Sequence, residues 1–240
     1  WFSDHLCWSR SHGHNFHDLL PVPYTEENAR YIAQKARQVQ DYMGLPFAIE
    51  NLSTYIAFEN SEMSEWEFYR MVVEEAGCYM MLDVNNIFVS SVNHHFDPWE
   101  YINNIPWEKV IQVHLAGPSE LPDGTMLDTH DTPVRPEVWA LYEEVCKKTG
   151  GISTLMEWDD NIPSFQIVHD EALKARQYQL KHMPDNKVPS SLKLHQQGFG
   201  ESISTPLIIH DDGYERQEEC YQPELIQNVK ASAEKSSTER

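Results

Sequence analysis

Five short apolar runs alternate with helix-like stretches, and this alternation constrains the fold more than any other feature of the chain. The runs are FSDHLCW (2–8), PFAIE (46–50), CYMMLD (78–83), VIQVHL (110–115) and STLMEW (153–158). Strands that alternate with helices predict a parallel sheet with crossover helices. The unit lengths favour a (β/α) barrel of the TIM type over a doubly wound sheet, and no G-x-G-x-x-G follows any of the runs.

The helical stretches carry recognisable start and stop signals. Thr25, followed by two glutamates, begins an amphipathic pattern that ends at Gly44. SEWE at 64–67 has the spacing of a capping box, and the helix that it begins is predicted to end at Gly77. Further helices are expected to begin at Pro98, to run from Pro136 to Gly150, and to cover about 164–182.

Five units do not close an eight-stranded barrel. We therefore expect residues 1–182 to form a barrel portion that lacks the first three βα units of the full fold. Residues 183–240 are rich in Pro, Ser, Gln and Gly and end in a polar stretch of low complexity. They are expected to form an irregular, partly disordered C-terminal appendage, with PLIIH (206–210) as a candidate extra strand.

Charge and cysteine usage narrow the classes of partner. With 38 acidic and 18 basic residues, the formal net charge of −20 disfavours nucleic acids and anionic membranes. No apolar run approaches the roughly 20 residues of a membrane span, and the opening WFSDHLCWS does not resemble a signal peptide. Four scattered cysteines without a C-x-x-C fit a reducing compartment. The sequence thus predicts a cytoplasmic protein.

A metal-capable side chain stands at or near the end of each apolar run. These residues are His5, Glu50, Asp83, His114 and Glu157. In a parallel βα barrel such ends share the face that carries the chemistry, where clustered carboxylates are most simply stabilised by a cation. Any one of them alone has an ordinary explanation, as a helix cap or a core histidine. Five strand ends of this kind favour a shared metal site, and DTHD (128–131) offers further ligands from a loop.

The ligand types restrict the metal without selecting the reaction. The chain has neither a set of clustered cysteines nor an H-E-x-x-H, which disfavours structural zinc. Mixed imidazole and carboxylate ligands suit iron, manganese or catalytic zinc. Seven or eight candidate ligands exceed the needs of one ion, so two or more ions are predicted, for hydrolysis or for oxygen activation. The histidines near the first and third strand ends, His12, His14, His17, His94 and His95, are expected to be solvent-exposed loop residues.

Several motifs, taken in order, resemble those of a known family. They are SDHLCWS, HDLLPVPYTEE, IENLSTY, LDVNNIFVSSVNHHFDP, VIQVHLAGP, DTHDTPV and LMEWD, spread over about residues 1–175. The resemblance is to the multinuclear non-heme iron-dependent oxidative enzymes of the methanobactin-biosynthesis type. That family consists of TIM barrels, related to xylose-isomerase-like folds, that modify ribosomally made peptides, commonly at cysteine. Its members use two or three iron ions and dioxygen, and many need a partner protein that captures the precursor peptide.

The resemblance implies a specific ligand set. Matching motif by motif gives His5, Glu50, Asp83, Asn85, His114, Asp128, His130 and Glu157. Asn85 enters through the resemblance, and in an extended chain it would point the same way as Asp83. Glu50 would bridge the ions. No catalytic residue apart from the metal ligands is implied.

By this resemblance the chain is an iron oxygenase or oxidase that modifies cysteine residues of a ribosomal precursor peptide. Its cofactors would be two or three iron ions in mixed Fe(II)/Fe(III) states, with dioxygen as co-substrate. The chain departs from the family pattern in two ways. The 240 residues do not contain the three upstream βα units, which carry a further metal-binding histidine in the family, and the tail after about residue 183 has no family counterpart. The alternatives are a divalent-metal sugar isomerase or hydrolase on a related barrel, and a catalytically inactive barrel that binds a peptide.

Overall fold

A five-stranded parallel sheet organises the protein, and the computed structural model describes residues 1–183. The sheet strands are β1 (Phe2–His5), β4 (Phe47–Glu50), β5 (Tyr79–Asp83), β6 (Val110–Leu115) and β9 (Thr154–Met156), in that spatial order. Each pair of neighbours is parallel. The five strands predicted from the sequence are therefore confirmed, although all except β6 are shorter than their apolar runs, most of all the first and the last.

Helices connect the strands, as the alternation predicted. They are α1 (Glu26–Met43), α2 (Glu65–Ala76), α3 (Val84–His94), α4 (Pro98–Asn104), α5 (Pro136–Thr149) and α6 (Phe165–His182). The predicted caps are confirmed: the Thr25 side chain accepts from the Asn28 N–H, and Ser64 and Glu67 form the capping box. Left-handed glycines follow α1, α2 and α5, because glycine adopts that conformation without steric penalty.

The two faces of the sheet have different surroundings. Residues such as Phe47, Ile49 and Leu82 belong to the large core that the helices cover. Ala48, Met81 and Ile111 form a separate small cluster. Because side chains alternate across a strand, Glu50 and Asp83 share the face of Ala48 and Met81, opposite the helix-covered core.

Strand register brings the polar ends level with one another. His5 pairs with Glu50 across β1 and β4, and Asp83 pairs with His114 across β5 and β6. A shift between Met80 and Met81 interrupts the β5–β6 pairing, as in a β-bulge. The carboxyl ends of the strands thus form one edge, where the candidate site lies.

Two strand pairs, one α-helix and a short 3-10 helix (Trp107–Lys109) were missed by the sequence prediction. The first loop is an antiparallel hairpin of β2 (Trp8–Ser11) and β3 (His14–Leu20), and a second small pair joins β7 (Ser119–Glu120) to β8 (Met126–Leu127). Helix α3 begins directly after Asp83. His12, His14 and His17 are exposed as expected, on the hairpin rather than on an irregular loop.

His94 is a correction to the sequence prediction. It lies half-buried in the last turn of α3, where its Nε2 is 2.8 Å from Thr54 Oγ1, whereas His95 is exposed. The predicted appendage, 183–240, including PLIIH, falls beyond the described residues apart from Met183. Among residues 1–183, no helix has the length and apolar character needed to cross a membrane.

Candidate metal centre

Four of the five strand-end residues converge at the carboxyl edge of the sheet. Glu50, Asp83, His114 and Glu157 each offer one ligand atom, and these atoms lie within 4.8 Å of one another. His114 Nδ1 is 2.8 Å from Glu50 Oε1 and 3.2 Å from Glu157 Oε1, though neither contact has hydrogen-bond geometry. Glu50, Asp83 and His114 are buried, with relative exposures of 6%, 0% and 5%. The strand ends thus place three acidic groups around one imidazole.

Asp83 is a buried carboxylate that lacks a full set of partners. Its Oδ1 caps α3 by accepting from the Asn86 N–H at 2.7 Å, whereas its Oδ2 is buried with no hydrogen-bond partner among the described residues. Burial raises the pKa of Asp83 well above its ordinary range, and the charges of Asp128 and Glu50 raise it further. A cation would relieve both effects, because it replaces water as the counterpart of the charge.

Asn85 reaches the site by a different route from the one predicted. The chain is not extended after Asp83; Asn85 lies in the first turn of α3 and is fully buried. Its Nδ2 donates to Asp128 Oδ1 at 2.6 Å, and its Oδ1 is buried without a partner in the described structure. Asn85 therefore lies beside the predicted loop ligand Asp128, and the expected extended chain is wrong, because the cap at Asp83 starts the helix at once.

Asn51 is a structural residue of the site that sequence reasoning missed. Its Oδ1 accepts from the Asp83 N–H and its Nδ2 donates to the Asp83 carbonyl, both at 2.9 Å. It is buried, and its own carbonyl accepts from Asn86 Nδ2. Asn51 thereby continues the β4–β5 pairing by one side chain beyond the strand ends. An asparagine directly after Glu50 was the available signal, since an amide can imitate a backbone peptide group.

The remaining predicted ligands come from the loop that follows β8. Asp128 Oδ1 is 2.8 Å from His130 Nε2, and Asp128 Oδ2 accepts from Ser53 Oγ at 3.0 Å. The Asp128 N–H donates to the Tyr55 hydroxyl. Burial favours a lower pKa for His130, but its hydrogen bonds to Asp128 and Asp159 and the surrounding carboxylates raise it to about 10. This loop therefore carries a second imidazole beside acidic groups.

Close backbone contact fixes the course of this loop. A Cβ added to Gly117 would lie 1.8 Å from the Thr132 carbonyl oxygen. Glycine is thus required at this position of HLAGP, because the backbone of the loop passes where a side chain would be. The conformation of the loop and the end of β6 are in this way coupled.

Glu157 connects the two groups of ligands. It also belongs to a second group with His130 and Asp159, whose ligand atoms again lie within 4.8 Å of one another. Its Oε2 is 3.6 Å from His130 Nδ1. Burial raises the pKa of Glu157, while His114 and His130 oppose that shift. Glu157 therefore lies between the two groups, while Glu50, the predicted bridging residue, lies between His114 at its Oε1 and His5 at its Oε2.

His5 lies at the margin of the cluster. Its Nε2 is 3.6 Å from Glu50 Oε2, its side chain is 41% exposed, and it belongs to neither group. This position follows from its strand, because β1 is at the edge of the sheet. The structure thus brings all eight predicted ligands into contact or close approach with at least one other, and His5 is the most exposed of those at the strand ends.

The chain was compared with known proteins. A family described as the RiPP precursor modification enzymes MbnB/TglH/ChrH, where RiPP denotes a ribosomally synthesised and post-translationally modified peptide, matches residues 1–180. The chain belongs to this family. It is the family that the motifs indicated, and the match covers both strand-end and loop residues of the candidate metal centre.

Several curated proteins named UPF0276 are similar in sequence to this chain. A UPF0276 protein of Acaryochloris marina is 43% identical over 184 residues, which is 77% of this chain and 66% of that protein. A UPF0276 protein of an Anaeromyxobacter species is 45% identical over 175 residues, 73% and 62% of the two chains. One from Caulobacter vibrioides is 46% identical over 163 residues, 68% and 58%. The chain spans about three fifths of the length of these curated relatives.

Proposed function

We propose that the protein takes part in the iron- and dioxygen-dependent oxidative modification of cysteine residues in a ribosomally synthesised precursor peptide. Membership of a family of precursor-modifying enzymes supplies the substrate class. The observation that carries the metal part is the buried, unpartnered Asp83 Oδ2, which lies among further acidic groups and an imidazole. A buried carboxylate oxygen without a hydrogen-bond partner is unfavourable in a protein interior, and a neighbouring cation stabilises it.

The donor atoms suit iron. Both groups offer imidazole nitrogens and carboxylate oxygens, and neither contains a cysteine. Non-heme iron commonly has such mixed ligands, whereas soft thiolate sets select other metals. Among the described residues no lysine stands at the carboxyl end of a sheet strand, which disfavours the sugar isomerase alternative, because that activity would need a lysine near the metals. A two-ion site with these ligands also suits a hydrolase, and membership of a family of precursor-modifying enzymes favours oxidative modification over it.

Eight residues would hold the ions. They are His5, Glu50, Asp83, Asn85, His114, Asp128, His130 and Glu157. The strand-end group, together with the separate loop pair of Asp128 and His130 beside Glu157, supports at least two ions. Bound iron would supply a site for a substrate thiolate and for the activation of dioxygen. The protein's own residues orient these ligands, keep them apart from bulk water and provide the negative charge that retains the ions.

The sheet is one side of a (β/α) barrel. Its strands follow one another in chain order, without the reversal that marks a doubly wound sheet. The small cluster of Ala48, Met81 and Ile111 on the face opposite the helices has the character of a barrel interior. Chemistry at the carboxyl ends of the strands is the rule for such barrels.

The way in which the substrate binds is proposed from family membership alone. A precursor peptide would present its cysteine to the open edge of the ligand cluster, and a peptide-recognition protein would hold the rest of the precursor. The exposed His5 and the partly exposed Glu157 mark that edge, because the other strand-end ligands are buried.

Anaerobic iron titration tests the proposal. The purified chain is loaded with Fe²⁺, the bound iron is counted, and a cysteine-containing peptide and then dioxygen are added. We expect about two ions per chain, from the two ligand groups, and an optical change that depends on the thiol. A peptide with serine in place of cysteine is the control. Iron well below one per chain would contradict the metal site, and iron without a thiol-dependent change would contradict the substrate.

A further inference from the structure

His130 has a backbone conformation that residues other than glycine rarely adopt. Its φ is 51°, in the left-handed region, where a residue other than glycine costs roughly 1 kcal/mol. Its side chain is 13% exposed and faces acidic groups. A conformation of this kind persists where surrounding contacts impose it, and such positions concentrate at functional sites.

Asp159 makes the contacts that hold this residue. Its Oδ2 is 2.8 Å from His130 Nδ1, and its backbone N–H donates to the His130 carbonyl at 2.9 Å. One residue, two positions beyond Glu157, thus binds both the ring and the backbone of His130. The Asp160 N–H adds a longer contact of 3.4 Å to the same carbonyl.

The two ring nitrogens of His130 face different carboxylates. Nδ1 is 2.8 Å from Asp159 Oδ2 and, at a longer 3.6 Å, from Glu157 Oε2, whereas Nε2 is 2.8 Å from Asp128 Oδ1, a member of the proposed ligand set. Because a hydrogen bond from one nitrogen fixes which nitrogen can bind a metal, the Asp159 contact leaves Nε2 for the ion. In this arrangement an ion bound by Nε2 would lie on the side of the ring that faces Asp128.

Exposure separates Asp159 from the ligands. The Asp159 side chain is 71% exposed, against 16% for Asp128 and 24% for Glu157. Its close approach to His130 and Glu157 would also allow a direct metal contact. The short contact to Nδ1 and the solvent position favour the role of an outer partner, as carboxylates often have beside metal-binding histidines.

We propose that Asp159 is a positioning residue that orients His130 and presents its Nε2 to a metal ion. The inference rests on the proposed metal site. It adds to that site a residue whose task is the direction and tautomer of one ligand. Removal of Asp159 should therefore weaken one ion position and leave the strand-end group of Glu50, Asp83 and His114 intact.

Neighbouring aspartates provide a matched pair of variants. Asp160 is also exposed, and its side chain accepts from the Asn161 N–H instead of contacting His130. Asp159→Asn and Asp160→Asn change the charge equally, so a purely electrostatic effect would appear in both. Asp159→Glu keeps the carboxylate and serves as the rescue variant.

Zn²⁺ is the probe, since it is diamagnetic and accepts the same ligand types. We expect Asp159→Asn to lower the affinity of one Zn²⁺ position by about 10–100-fold, with partial recovery in Asp159→Glu and no change in Asp160→Asn. Nitrogen NMR of the zinc-loaded chain should show His130 protonated at Nδ1 in the wild type and lose that defined state in Asp159→Asn. Circular dichroism checks that each variant is folded.

Three results would overturn the inference. Unchanged affinity and tautomer in Asp159→Asn would remove any role for the residue. Loss of an ion with an unchanged His130 signal would make Asp159 a direct ligand instead. A wild-type chain that takes up no metal would overturn the proposed function together with this inference, whereas the first two results leave the metal site standing.

Discussion

The two halves of the candidate metal centre are built in different ways. Glu50, Asp83 and His114 stand at strand ends, are buried, and are aligned by backbone pairing such as that of Asp83 with His114. Asp128 and His130 lie on a loop, are more exposed, and are held by side-chain contacts and a left-handed backbone. Sheet register positions the first half, whereas individual hydrogen bonds position the second. The first half should therefore tolerate less change and the second should be easier to adjust.

The histidines illustrate the same difference. His114 Nε2 faces the neutral Gln112 Oε1 at 3.4 Å, which leaves Nδ1 beside Glu50 and Glu157. Gln112 Nε2 in turn donates to Ser153 Oγ, and this contact fixes the direction of the amide. His130 differs, because both of its ring nitrogens face carboxylates, Nδ1 on the exposed Asp159 and Nε2 on Asp128. If Asp159 positions His130 as proposed, the two halves present different ring nitrogens to the site.

The largest effect is expected from Asp83→Asn. The loss of this carboxylate should abolish metal binding by the strand-end group. It should also stabilise the metal-free chain by roughly 1 kcal/mol, since burial disfavours the charge. Metal counting and urea unfolding measure the two effects. Asp97→Asn is the matched control, because Asp97 likewise caps a helix but is exposed. Metal retention in Asp83→Asn would place the site elsewhere.

A pH dependence should come from the loop half. The folded-state pKa of His130, about 10, lies above the ordinary value of 6.5, so its stabilising contribution is complete below about pH 6.5 and is lost as the pH rises through 10. Urea unfolding of the metal-free chain across this range should show a loss of about 2–4 kcal/mol. The His130→Gln variant should lack this pH-dependent loss of stability, and the His17→Gln variant, on the exposed hairpin, should retain it. Identical profiles for wild type and His130→Gln would contradict the assignment.

Asn51→Ala tests the strand half without touching a ligand. The variant leaves the buried N–H and carbonyl of Asp83 without their partner. We expect the free energy of unfolding to fall by about 2–3 kcal/mol. Asn104→Ala, which removes an exposed contact to a helix carbonyl, should change it by less than about 0.5 kcal/mol. An equal effect in both variants would mean that Asn51 does not align the strand ends.

The smallest effect is expected from Ser53→Ala. Ser53 Oγ donates to Asp128 Oδ2, and its loss should lower metal affinity by about 2–5-fold, the equivalent of one modest hydrogen bond. Isothermal titration with Zn²⁺ measures the change, and the exposed Ser9→Ala is the control. A drop as large as that of Asp83→Asn would show that the loop half is as sensitive as the strand half.

Much of the fold was predictable because its signals are local. Thr25, the capping box at Ser64 and the prolines at 98 and 136 mark helix starts through contacts within one turn, and all four predictions are confirmed. The start of α3 was missed, since the same Asp83 that reads as a strand end is also a helix cap. The β2–β3 hairpin was missed because its strands contain charged and exposed residues without strong alternation.

The sequence by itself determined which residue types stand at the strand ends, because period-two alternation and cap spacing are written within a few consecutive residues. Only the tertiary structure decided how those residues meet. Asn51 bridges two strands, Asp159 holds His130, and Glu157 lies between the two ligand groups. Each of these contacts joins residues about 30 or more positions apart. Contacts between residues so far apart in sequence are set by the order of the strands in the sheet and by the path of the loops, which no local pattern encodes.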